Sequence, residues 1–174
     1  GLISVNYGSN DLKLYDLTIP SGTAHFLEHK MFEYPDGDYD SLFAAYGAEV
    51  NAYTTFYRTS YTFYSSNHVN ECTKLLLDLV QSLDITNESV EKEKGIIIEE
   101  IHGDDDNPSA QCYIHSINNL YHDHPVRNDI GGDEESVLAT TKEMLEEVYQ
   151  AYYHPSNMTL LLAGNFDLNE LMYR

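Results

Sequence analysis

The 174-residue chain carries 29 acidic and 9 basic side chains, a formal net charge of −20, with 42% hydrophobic and 12% aromatic residues. This length and composition fit one globular domain with a sizeable core and exclude a disordered chain. The charge argues against nucleic acid as a partner, because phosphate backbones are bound by basic surfaces, and no apolar run approaches the length of a membrane span.

In chain order, residues 1–7 read as a strand, with Ile3, Val5 and Tyr7 on one face. Segment 8–20 is irregular, with Gly8, Asn10, Asp11 and Pro20. A helix is predicted over 23–31. Pro35, Asp36, Gly37 and Asp38 form a turn signal. A short helix follows over 39–46, closed by Gly47. Two strands come next: Val50, Ala52 and Thr54 alternate with Asn51 and Tyr53, and Tyr57, Thr59, Tyr61 and Phe63 alternate with polar neighbours.

The second half is mainly helical. Val69, Cys72, Leu76, Leu79 and Leu83 recur at helical spacing. Thr86 is placed to cap a long helix reaching about Ile101. Asn107 and Pro108 open another helix, with Ala110, Tyr113, Ile114, Ile117 and Leu120 as its apolar stripe. Thr140 and Glu143 have capping-box spacing, ahead of a helix that turns Met144, Leu145, Val148 and Tyr152 inward. The apolar run 158–163 reads as a central strand. Strands and helices come in blocks, which makes the class α+β.

Cys72 and Cys112 are too few for a disulfide framework; both read as buried free thiols. A reducing compartment fits, and the expected location is cytoplasmic. No signal peptide opens the sequence. Because it starts within a strand and stops early in a helix at 169–174, residues 1–174 are expected to be a single half-domain, truncated at both ends.

Chemistry concentrates in His25-Phe26-Leu27-Glu28-His29. Two histidines four apart on a helix lie about 40° apart around its axis, so both imidazoles reach one metal ion. Glu28 sits between them, placed to touch a water beside the metal without entering the ligand shell. An open metal site plus a carboxylate base is what metal-assisted hydrolysis requires, and His-x-x-Glu-His is the inverted zincin order. The bland alternative is a half-buried helix with two surface histidines. Apolar Ala24, Phe26 and Leu27 weigh against it, since buried polar groups need partners.

A catalytic zinc site takes three protein ligands and leaves one position open. In the long helix, Glu93 and Glu100 are two turns apart and share a face with Ile97. Glu100 is the favoured third ligand and Glu93 a supporting carboxylate. Two solvated acids on an amphipathic helix remain the competing reading. His122 and His124 lie in a loop-like stretch, and 104–107 lacks the spacing of a calcium loop.

These residues resemble the insulinase/pitrilysin family of zinc metallopeptidases, which includes processing peptidases. The resemblance rests on His25–His29 followed by Glu93-Lys94-Gly95-Ile96-Ile97-Ile98-Glu99-Glu100. It is joined by Asn51-Ala52-Tyr53-Thr54, by residues 90–94 and 105–108, and by Tyr153-His154-Pro155-Ser156-Asn157-Met158. It is strongest toward the YmfH-type branch of Gram-positive bacteria.

The resemblance implies one half-domain of the metallohydrolase fold of processing peptidases, with a mostly antiparallel sheet packed against several helices. It implies a Zn2+ ion held by His25, His29 and Glu100, Glu28 as general base, Glu93 as an assisting carboxylate, and Asn51 and Ala52 on the strand that lies along a bound peptide. It also implies a second homologous half-domain, in the same chain or a partner subunit, that closes a chamber over an extended peptide substrate.

Two other functions compete. One is a non-catalytic subunit that shapes a partner peptidase; such subunits typically lose the motif. The other is a metal-dependent lyase of the autoinducer-synthesis type, which carries the same motif with a cysteine as third ligand. Cys112 would then replace Glu100.

Overall fold

The computed structural model describes residues 1–7, 19–35 and 37–172. Most of segment 8–20, Asp36 of the predicted turn and the last two residues lie outside that set. A four-stranded antiparallel sheet forms from β1 (Leu2–Asn6), β4 (Glu49–Thr54), β5 (Arg58–Tyr64) and β6 (Met158–Leu161), in the spatial order β4-β5-β1-β6. A two-residue-per-strand hairpin, β2 (Glu33–Tyr34) and β3 (Gly37–Asp38), occupies the predicted turn. The helices are α1 (Thr23–Lys30), α2 (Tyr39–Ala45), α3 (Val69–Gln81), α4 (Asn87–Asp105), α5 (Pro108–Leu120), α6 (Glu134–Ala139), α7 (Lys142–Tyr152) and α8 (Leu168–Met172). The α+β class and the antiparallel sheet hold.

Strand register follows the period-two pattern. Ile3 lies opposite Tyr61 and Val5 opposite Thr59, while Ala52 faces Tyr61 from the other side. Ile3, Val5, Tyr61 and Phe63 thereby share one sheet face. They form a single core with Phe26 and Leu27 of α1, Phe43 of α2, Leu76 and Leu79 of α3, and Leu145 and Val148 of α7. Each of these large side chains contributes roughly 1.5–3 kcal/mol by leaving water. Tyr61 can be fully buried because its hydroxyl meets that of Tyr153 at 2.6 Å.

Several expectations need correction. The apolar run after Asn157 is an edge strand, not a central one, among the described residues. β6 pairs only with β1, and Leu160 and Leu161 are exposed. The α7 cap is Thr141, which accepts from the Met144 amide at 3.4 Å. Thr140 instead donates to the Ser136 carbonyl at 3.0 Å, because it ends the unforeseen helix α6. The apolar stripe of α5 buries no residue fully; it faces a cleft, not the core. Cys112 is exposed there, whereas Cys72 is buried. The long helix begins at Thr86 as read, with Thr86 and Ser89 capping each other, but runs on to Asp105.

Candidate metal centre

Helix α1 presents two faces. Phe26 and Leu27 enter the core, while His25, Glu28 and His29 turn toward α4 and a cleft of about 710 Å3. Its N-terminus is fixed by close backbone approach. Gly22 caps it with φ of +81°, and a Cβ there would meet the Gly131 carbonyl oxygen at 2.3 Å. A Cβ on Gly132, at φ +78°, would meet the Ser21 carbonyl oxygen at 2.7 Å. Only glycine combines that conformation with that proximity.

Three potential ligands converge. Nε2 of His25 and Nε2 of His29 are 3.3 Å apart; Glu100 Oε2 lies 3.5 Å from His29 Nε2, and Glu100 Oε1 lies 3.8 Å from His25 Nε2. Ligand atoms at ~2.0–2.1 Å from a tetrahedral metal stand about 3.4 Å from each other. The His25–His29 spacing matches that figure; the two Glu100 contacts run through different carboxylate oxygens, so a zinc-sized ion would draw the half-exposed Glu100 side chain inward to complete the set. Among the described residues this is the one such cluster of histidine, cysteine, aspartate and glutamate side chains. Cys112 is not in it.

Glu93 stands behind His29. Its Oε1 lies 3.0 Å from His29 Nδ1, which fixes the proton on Nδ1 and turns Nε2 toward the other ligands. Its Oε2 lies 3.5 Å from Lys30 Nζ. Lys30 is wholly buried and also meets Glu33 and the Ser89 carbonyl. The Nδ1 of His25 is buried with no hydrogen-bond partner among the described residues and faces Gly131. Glu100 is the exposed member, its side chain 49% accessible.

Glu28 is 8% exposed. Its Oε2 accepts from the Thr54 hydroxyl at 2.5 Å. Burial pushes its carboxyl above the ordinary value, and the charge of Glu100 adds to this against the Thr54 hydrogen bond and His29. Burial, then the neighbouring His29, lowers His25 and favours the neutral imidazole that a metal needs. Burial alone would lower His29 too, but the hydrogen bond and charge of Glu93, with Glu100 and Glu28, raise it. The hydrogen bond to His29, outweighing burial, holds Glu93 below its usual value, with help from Lys30.

The signs give a pH window for the metal-free chain. The raised His29 contributes stability fully present below its ordinary 6.5 and lost as pH rises through its folded value. The lowered Glu93 contributes stability present above its ordinary 4.5 and lost as pH falls through its folded value. The pair thus stabilises most between about 4.5 and 6.5. A metal requires the neutral imidazole, so Zn2+ uptake at pH 6.5 should release a proton, and the release should shrink as pH rises through the folded value of His29. Calorimetric titrations in two buffers of different ionisation enthalpy check this. Identical heats at pH 6.5 would contradict the His29–Glu93 ion pair.

Asn51 and Ala52 lie on β4, an edge strand among the described residues. Thr55 and Arg58 form a bonded pair at the hairpin end, with N–O 2.8 Å. Antiparallel alternation then points the backbone of Thr54 and Ala52 away from β5. The Ala52 amide accordingly donates to its neighbour's Asn51 Oδ1 at 2.8 Å. Ala52 and Thr54 line the cleft beside Glu28; Asn51 lines a shallower recess with Glu28 and His29.

The family pattern described as Insulinase (Peptidase family M16) matches residues 3–134. The chain belongs to this peptidase family. A second pattern, the Peptidase M16 inactive domain, matches residues 139–172. The M16 chain is 45% identical over 172 residues to a Bacillus subtilis (strain 168) protein described as the uncharacterized zinc protease YmfH, covering 95% of this chain and 40% of that protein. A crystal structure of an M16-like peptidase from Alicyclobacillus acidocaldarius superposes with a TM-score of 0.91 at 48% identity, covering 98% of this chain and 41% of that one. Pitrilysin superposes with a TM-score of 0.77 over 98% of this chain and 19% of its own. At 22% identity that likeness shows the fold alone. The chain therefore spans about two fifths of the first two relatives.

Proposed function

We propose that this chain is the catalytic half of a zinc-dependent endopeptidase. His25, His29 and Glu100 hold the ion, Glu28 is the general base and Glu93 orients His29. The observation that carries the reading is the convergence of His25, His29 and Glu100, their ligand atoms within 4.8 Å of one another, beside a buried carboxyl held above its ordinary pKa. Membership of a peptidase family supports it. Zinc bound there supplies electrophilic polarisation of the scissile carbonyl and a more acidic water. Glu28 takes the proton of the attacking water and passes it to the leaving amine; burial that holds its carboxyl above the ordinary value makes it the stronger base for the first step. The peptide lies extended along β4, replacing the Asn51 side chain as acceptor for the Ala52 amide and adding a strand to the sheet edge.

A purely structural subunit would have no use for the intact His25, Glu28 and His29. The lyase reading needs Cys112 as ligand, and that residue lies exposed outside the cluster. Metal analysis decides between the readings. One zinc per chain is expected, lost in Glu100→Ala and retained in Cys112→Ser, with peptide cleavage abolished by chelation. Zinc lost in Cys112→Ser, or peptide cleavage unaffected by chelation, would refute the proposal.

A further inference from the structure

Behind Glu28 runs a line of hydroxyls that the reaction as described does not use. Thr54 Oγ1 meets Glu28 Oε2 at 2.5 Å; Thr59 Oγ1 lies 3.1 Å from Thr54 Oγ1; the Tyr7 hydroxyl lies 2.8 Å from Thr59 Oγ1. The line crosses the sheet from β4 through β5 to the end of β1. Thr59 is fully buried.

We infer that Thr54 is a positioning residue for the general base, held in its orientation by Thr59 and Tyr7. The inference rests on Glu28 acting as that base. An ionised carboxylate only accepts, so Thr54 must donate to it. A hydroxyl has one proton. With that of Thr54 committed to Glu28, Thr59 must donate to Thr54, and Tyr7 must donate to Thr59. Every hydroxyl then points toward Glu28, and each bond polarises the next. The hydroxyl line fixes one carboxylate oxygen from behind. Oε1 makes no hydrogen bond among the described residues, and Glu28 lines the cleft, so that oxygen is free to take the proton of a water. A base on a helix end could otherwise swing between rotamers, and a displacement near 1 Å at a reacting group costs up to about a hundredfold in rate.

The test is the series Thr54→Val, Thr54→Ser and Tyr7→Phe in the zinc-loaded protein, assayed with its second half-domain present. Thr54→Val keeps shape and removes the proton. It should lower kcat by about ten- to a hundredfold, with KM and zinc content unchanged. Thr54→Ser restores the donor and should recover most of the loss; Tyr7→Phe should show a smaller loss in the same direction. Full kcat in Thr54→Val overturns the assignment. So does zinc loss in that variant, which would make Thr54 a structural support of the ligand helix. Crystal structures of the wild type, Thr54→Val and Thr54→Ser give a readout independent of activity: the Glu28 side-chain torsions should change in the valine variant alone. If the wild type cleaves no peptide, the peptidase reading fails. The torsions still judge the positioning role, and unchanged torsions in Thr54→Val refute it.

Discussion

Glu28→Gln is expected to retain one zinc per chain and to lose peptide hydrolysis by about 10²–10⁴-fold, the range that a positioned general base supplies. The amide is isosteric and its oxygen still accepts from Thr54, so the local geometry survives. What disappears is a group able to take and return a proton. Stability should not fall, because a carboxyl that is 8% exposed is costly to keep charged and the neutral amide removes that cost. Glu28 is absent from the cluster of His25, His29 and Glu100, which is why metal content should not follow activity. Atomic absorption and a peptide assay on the same preparation separate the two. Zinc loss in Glu28→Gln would make it a ligand and dismantle the assignment; undiminished turnover would place the base elsewhere.

What the sequence made legible here was local and periodic. His25, Glu28 and His29 lie within one turn of helix, and Glu93, Ile97 and Glu100 within two turns of another, so helical geometry alone predicts which side chains share a face. That these two faces meet is a tertiary fact; the shared face of Glu93, Ile97 and Glu100 favoured Glu100 as third ligand, and the resemblance implied the same pairing. The groups that hold the site in shape were invisible for the same reason. Thr54 and Tyr7 are ordinary strand residues until the register of β1, β4 and β5 aligns their hydroxyls. Lys30 adjoins the motif, yet a lysine reads as exposed by default; three acceptors around it make burial tolerable. Gly131-Gly132 was a usable signal, since paired glycines mark either a turn or a close backbone approach. Helix α5 misled because an apolar stripe does not say whether it meets a core or a cleft. β6 misled likewise, because a continuous apolar run is a central strand only if neighbours arrive on both sides.

Assayed alone at full zinc occupancy, this chain is expected to cleave an unstructured peptide at least about a hundredfold more slowly than the same chain with a second half-domain, supplied in one polypeptide or in trans. The cleft explains why. Its walls are α1, α4, α5, β4 and the loop 126–134, and they leave Glu100 half accessible and Tyr53, Phe56 and Tyr113 exposed. Water is thus free to reach the ion and to screen the electrostatic terms on which hydrolysis depends. The edge of β4 can pair with an extended peptide, but a single strand edge holds only backbone. Among the described residues, no second strand edge faces β4 across the cleft to fix the scissile bond over Glu28. The relatives that match this chain are more than twice its length, which leaves room for such a closing partner. The comparison needs equal metal content, because a difference in zinc would mimic the effect. A fall in kcat/KM without change in zinc affinity is the expected pattern, since the proposed ligands all lie in this chain. Equal turnover with and without the second half would show that these residues position and desolvate the substrate unaided, and the two-half mechanism would be wrong.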